Sequence, residues 1–327
     1  MIFEPVHQQA SVLQNVEGCR KAVFFYKSHS SVTYICYGII HFMLKLTPFQ
    51  PVDYLVVGHV AVDITSTGTG MQLGGTVSFA ALTARALGMR VGIVTSSGED
   101  APLQALDGIS IANMPSEYST TFENFKTPNG RKQTLHHQAR PILLEHIPEA
   151  WQTAPIIHLA PIARELDPAL PEKLSGSLLG ITPQGWMRAW DENGQVAASA
   201  WENSQQALSH AGAVVMSVED INHDLELVEI MAHQTRILCL TEGESGAVLY
   251  WNGDRRRFRP AAVDEVDATG AGDIFAAAFF VRLYSTRDPW EAARFATQLA
   301  ARSVTRVGMN GIPTAQEIEE CLMEVLS

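Results

Sequence analysis

Seven residues, Asp267-Ala268-Thr269-Gly270-Ala271-Gly272-Asp273, stand directly before a strongly apolar run at residues 274–280, and their types and spacing can do chemistry. An apolar run that opens after Gly-Ala-Gly reads as a buried helix. At a helix N-terminus the first N–H groups lack intrahelical partners and the dipole is positive. Gly270, Ala271 and Gly272 can therefore let a phosphate approach backbone donors closely. Asp273 would be held beside that phosphate, where a carboxylate can accept the proton of an attacking hydroxyl. In the competing interpretation the glycines merely permit tight packing, and Asp273 is a first-turn acid complementing the dipole. A carboxylate opening a buried helix is costly unless it has a purpose, which favours the catalytic interpretation.

The elements that must position this segment are legible around it. Residues 54–58 read as a buried strand, residues 77–87 as an Ala-rich packed helix ending at Gly88, and residues 90–95 as the next strand, a β-α-β unit that implies a parallel sheet. Further strands are expected at residues 156–159, 178–181, 213–216 and 236–241, with a helical stretch at 222–233. Two polar-alternating runs, 120–127 and 131–137, flank Pro128-Asn129-Gly130 and predict a hairpin. A second hairpin is expected over 246–259 around Asn252-Gly253, followed by helices at 271–284, 289–304 and 314–326. No repeat or linker follows residue 51. The expectation is one α/β domain over residues 51–327: a doubly wound, mostly parallel sheet flanked by helices, with a small, reduced β-hairpin lid around residues 120–137.

Residues 1–50 show neither a 2 nor a 3.6 period, and their apolar run at residues 32–46 carries His41 and Lys45. That run is shorter than the roughly 20 apolar residues of a membrane span and lies too far in for a signal peptide. The segment reads either as an N-terminal extension outside the fold, with translation beginning at Met43, or as an arm on the domain surface. The net charge of −12 disfavours nucleic acid and anionic membranes as partners, and Arg255-Arg256-Arg257 reads as a solvated hairpin face. Four cysteines without a paired spacing suit reduced thiols in a cytoplasmic protein. No Gly-Lys-Ser/Thr phosphate loop occurs, Gly68-Thr69-Gly70 lacks the third glycine of a dinucleotide fingerprint, and the scattered histidines build no metal site.

The heptad resembles the C-terminal signature of the ribokinase-type (PfkB) carbohydrate kinases, Asp-Thr-x-Gly-Ala-Gly-Asp, and the resemblance extends over roughly residues 52–315. It implies a ribokinase-like fold and ATP-dependent phosphorylation of a hydroxyl, with Mg2+ and, in some members, a monovalent cation. Asp63, Gly74 and Gly75 match the residues that hold the substrate, although Asp63 taken alone is equally an ordinary turn residue. Thr241, Gly243 and Gly246 match a nucleotide-side loop. The stretch around Gly308 resembles the loop that closes over adenine, and a cation between that loop and the heptad would involve Asp267 and Thr269. The family's Asn-x-x-Glu is replaced by Ser217-Val218-Glu219-Asp220, where Ser217 and Asp220, or Glu219 in its place, would serve magnesium through water.

A lysine and an asparagine of ribokinases are replaced by Thr76 and Phe79, so ribose-style hydrogen bonding is lost and Phe79 would face carbon. Only ten residues separate Asp63 from Gly74, too few for extra lid strands, so the lid should rest mostly on 120–137, with Glu123 and Arg131 reaching the substrate. The run Leu73 to Phe79 looks most like inositol-kinase-type members. The expected substrate is therefore a sugar or cyclic polyol, inositol-like or hexose, taken by a monomer or homodimer. The alternatives are a nucleoside kinase and a non-catalytic metabolite-binding member.

Overall fold

The computed structural model describes residues 49–64, 70–127 and 130–322, with Lys126, Thr127 and Arg131 described by their backbone alone. All but the last two residues of the expected extension at residues 1–50, and the turn residues Pro128 and Asn129, lie outside the described residues. The central sheet has nine strands. In spatial order they are β15 (Asp254–Phe258), β14 (Ala247–Trp251), β13 (Ile237–Thr241), β12 (Ala213–Ser217), β9 (Leu178–Ile181), β8 (Ile156–Leu159), β1 (Tyr54–Val57), β4 (Val91–Ser97) and β5 (Ser110–Pro115). Neighbours run parallel except β14, which is antiparallel to both β13 and β15. Tyr54 stands between Val91 and Ile156 in register, and all four β1 residues are buried. Near-continuous apolar strands of this kind are what a sheet covered on both faces requires.

Alternate strand residues feed two cores. Tyr54, Val56, Ile93, Val215 and Cys239 pack on one side with helices α1 (Thr76–Ala86), α4 (Ala271–Thr286) and α5 (Pro289–Ser303). Leu55, Val57, Ile157, Val214 and Leu238 pack on the other with α2 (Ser204–His210), α3 (Leu225–Gln234) and Trp151. The doubly wound arrangement is as expected. Helix α3 begins three residues later than its apolar pattern suggests because Asp224 caps it, accepting from the N–H groups of Glu226 and Leu227. The last helix, α6, runs Ala315–Leu322. No helix among the described residues is long and apolar enough to cross a membrane.

The lid is small, yet it holds more than the expected hairpin. Strands β2 (Ala61–Ile64) and β3 (Met71–Gly74) join β6 (Thr120–Thr127) and β7 (Gly130–His137) in a four-stranded sheet ordered β3-β2-β6-β7. The ten residues between Asp63 and Gly74 suffice for two strands because β2 and β3 pair directly, Asp63 opposite Gln72. A further two-stranded ribbon, β10 (Arg188–Trp190) with β11 (Val196–Ala198), meets β7 where the Leu135 N–H donates to the Gly194 carbonyl at 2.8 Å.

Candidate active site

Helix α4 opens as its sequence requires. Gly270 caps it in the left-handed region at φ 78°, and the Ile274 N–H donates back to the Gly270 carbonyl at 2.9 Å. Asp273 stands half-buried in the first turn, ahead of a helix whose residues Ile274 to Val281 are all buried. The N–H groups of Gly272 and Asp273 fall where an α-helix offers no internal acceptor. The charge of Asp273 reaches into the core. After burial itself, it is the second cause that raises the Tyr54 hydroxyl well above its ordinary range.

Asp267 ties the signature segment to the loop that follows α5. Its Oδ1 accepts from the Thr269 N–H at 3.0 Å and the Thr269 hydroxyl at 2.7 Å, and its Oδ2 accepts from the Gly308 N–H at 2.9 Å. Residues that the sequence placed forty positions apart are thus joined through one carboxylate.

Where the acceptor was expected, Asp63 is buried at the lid strand β2 and lies against Gly74. Gly75, at φ 81°, caps α1, and the Ser78 hydroxyl donates to the Gly74 carbonyl at 2.7 Å. Asn124 of β6 donates through Nδ2 to Asp63 Oδ1 at 3.2 Å, and Gln133 of β7 donates through Nε2 to Asn124 Oδ1 at 2.9 Å. Sequence reasoning missed Asn124 and Gln133, because polar residues in an alternating hairpin read as solvent-facing. The parity of the strand was the available signal.

Glu123, expected at the substrate, turns away from Asp63. One residue from Asn124, it points to the opposite face of the strand, where its carboxylate meets His136 Nε2 at 2.8 Å. The side chain of Arg131 lies outside the described residues. Phe79, expected to face substrate carbon, is 2% exposed and lies under Gly270.

Comparison with known proteins places this geometry. Residues 199–315, which contain the whole heptad, match the family model described as pfkB family carbohydrate kinase. Over those residues the chain is similar to the PfkB family. A ribokinase of Bacillus subtilis (strain 168) is 37% identical over 123 residues, 36% of this chain and 42% of that protein. A cytidine kinase of Thermococcus kodakarensis is 25% identical over 286 residues, and a fructokinase of Escherichia coli 26% over 305. These two matches cover 78% and 81% of this chain, and 97% of each relative. Among solved structures, a pyrophosphate-dependent kinase of the ribokinase family, complexed with a pyrophosphate analog and myo-inositol, superposes with a TM-score of 0.69 at 21% identity. It covers 82% of this chain and 100% of that one, and carries the fold alone.

The remaining candidate site residues gather at the C-terminal ends of parallel strands, where open α/β sheets bind ligands. Ser217 ends β12 and Thr241 ends β13, held side by side as the Val218 N–H donates to the Thr241 carbonyl at 3.0 Å. Beyond Thr241 the turn needs its glycines. Gly246 is at φ 91°, and a β-carbon there would stand 2.0 Å from the Phe258 carbonyl oxygen. Gly243 is also left-handed, at φ 56°.

Asp220 Oδ2 accepts from the Ser217 N–H at 2.9 Å, and Oδ1 from Gln184 Nε2 at 3.1 Å. Gln184 follows β9 and is a further residue that sequence reasoning passed over. Each Asp220 oxygen keeps a second lone pair for a metal-bound water, whereas Glu219 is exposed, so Asp220 fits a magnesium-facing role better. Among the described residues no group of three or more His, Cys, Asp or Glu side chains could hold a metal. Magnesium bound mainly through phosphate oxygens and water does not need one.

Proposed function

We propose that this protein transfers the γ-phosphoryl group of ATP to a hydroxyl of a cyclic polyol or hexose, with Asp273 as the base. The observation that carries this reading is Asp273 in the first turn of α4, one residue beyond the exposed Gly272 and three beyond the left-handed Gly270. A phosphate oxygen resting on the Gly272 and Asp273 N–H groups would be stabilised as charge builds on it. Asp273 would take the acceptor's proton as its oxygen attacks phosphorus. Asp220 and Ser217 supply a carboxylate and a hydroxyl toward magnesium, which would neutralise phosphate charge. Asp267 and Thr269 hold the loop that faces the nucleotide.

The acceptor class follows from the chain Asp63, Asn124, Gln133. A buried carboxylate and an amide fixed by a second amide reject ligands that lack matching hydroxyls. A polyhydroxylated ring therefore suits this pocket better than an apolar one. The E. coli relative named a fructokinase and the neighbour complexed with myo-inositol support the same class. The relative named a cytidine kinase, matched over 97% of its length, supports a second reading in which a nucleoside is the acceptor.

Product formation should be followed over fructose, glucose, ribose, myo-inositol and cytidine, each with ATP and with pyrophosphate as donor. The proposal expects the highest kcat/KM for a hexose or inositol with ATP. A cytidine rate above every sugar and inositol would transfer the assignment to nucleosides, and turnover with pyrophosphate alone would overturn ATP as donor.

A further inference from the structure

We propose that Phe79 is a positioning residue for the phosphate-facing loop, setting the height of Gly270 above helix α1 rather than walling the acceptor. The proposal rests on the kinase reading above and adds to it a residue that acts from beneath the site.

Phe79 is buried, yet it lies outside the apolar clusters that fill the two faces of the sheet. Its ring is committed elsewhere. A β-carbon on Gly270 would come within 2.3 Å of ring atoms Cδ1 and Cε1 and 2.6 Å of Cγ. Gly270 is thus glycine for two independent reasons: its left-handed φ of 78° and the ring pressed against its α-carbon. The ring itself is held from below, because α1 packs against α4 and its first turn is fixed through Gly74 and Gly75.

One short helix therefore carries both halves of the site. Gly74, just before its cap residue, lies against the Asp63 carboxylate, and Phe79, four positions after the cap residue Gly75, lies against the anion-facing segment. Packed interiors yield little, so a shortened side chain at position 79 would let the 270–272 segment sink or waver. Donors aimed at developing charge lose their effect when displaced by a fraction of an ångström, whereas acceptor binding at Asp63 would be little changed. Since only 2% of Phe79 is exposed, the residue has almost no surface to offer a sugar.

The test uses the full chain with Phe79→Ala, Phe79→Leu and Phe79→Met, read in two ways. Steady-state kinetics separate kcat from the acceptor KM. Titration with inorganic sulfate, followed by calorimetry, reads the anion-facing segment without any turnover. Phe79→Ala should lower kcat by about 10²-fold and weaken sulfate binding, with the acceptor KM held within about threefold. Phe79→Met, which refills the space, should recover most of both. Should the alanine variant fail to fold, the leucine and methionine variants carry the same comparison. A raised acceptor KM with unchanged kcat and sulfate affinity would make Phe79 a substrate wall and overturn the proposal. Kinetics and sulfate affinity equal to wild type in all three would overturn it too. A wild-type protein that neither binds sulfate nor phosphorylates any acceptor would instead remove the kinase reading, and the proposal with it.

Discussion

Gly74 lies directly against the Asp63 carboxylate, so close that a β-carbon on Gly74 would stand 2.0 Å from Asp63 Oδ2. In the proposed site the glycine is therefore part of how the Asp63 carboxylate is aimed. Asp63 cannot simply swing away, because Asn124 holds its other oxygen. Gly74→Ala should rotate the carboxylate off its hydrogen bond and lower kcat/KM for the acceptor by about 10²-fold, with KM for ATP unchanged. Kinetics on both substrates check this; a variant with wild-type kcat/KM would show that Asp63 does not read the acceptor.

Asp267 is the corresponding fixture on the proposed donor side. Replacing it with alanine removes the acceptor for Thr269 and for the Gly308 N–H at once. Hydrogen bonds to a charged group are worth about 1.5–3 kcal/mol each, so the loop around Gly308 should loosen and KM for ATP rise by about 10-fold to 10²-fold. The acceptor KM should stay put. Equal ATP affinity in Asp267→Ala and wild type would mean that the tie does not shape the donor site.

His158 makes the fold sensitive to acid. It is fully buried, bonded to the Tyr54 hydroxyl at 2.8 Å and the Thr182 hydroxyl at 3.0 Å, and burial pushes its pKa from 6.5 to about 3. The folded protein keeps this ring neutral while the unfolded chain protonates it below about pH 6.5. Its contribution is present above that pH and is lost as pH falls toward 3, at no more than about 1.4 kcal/mol per pH unit. Urea unfolding at pH 7, 6 and 5 should show a steeper loss for wild type than for His158→Gln. Parallel losses would contradict the neutral buried ring.

Some of this architecture is legible in the sequence because burial there is nearly total. The run that became β1 and the first half of the run that became β4 are apolar on both faces, and Gly88 closes α1 where the pattern stops. The Gly-Ala-Gly-Asp opening of α4 is legible because only that order makes a positive φ, an exposed glycine and an acid in one turn. The lid is harder to read. Strands β2 and β3 have four residues each, too few for a period to emerge, and they exist by pairing with each other and, through β2, with β6. Asn124 and Glu123 are adjacent polar residues that only register separates, one turned to Asp63 and the other to His136. Phe79 looks like a substrate contact in one dimension and becomes a support for Gly270 only when α1 and α4 pack together.

The most direct test of the account is Asp273→Asn, assayed for ADP and phosphorylated product on the best acceptor, with the fold checked by circular dichroism and ATP binding by calorimetry. The amide keeps the shape of the first turn of α4 and cannot accept the acceptor's proton as a carboxylate does. The account predicts a folded protein with ATP affinity near wild type and turnover lowered by about 10²-fold to 10⁴-fold. Turnover equal to wild type would contradict it, because the base would then lie elsewhere.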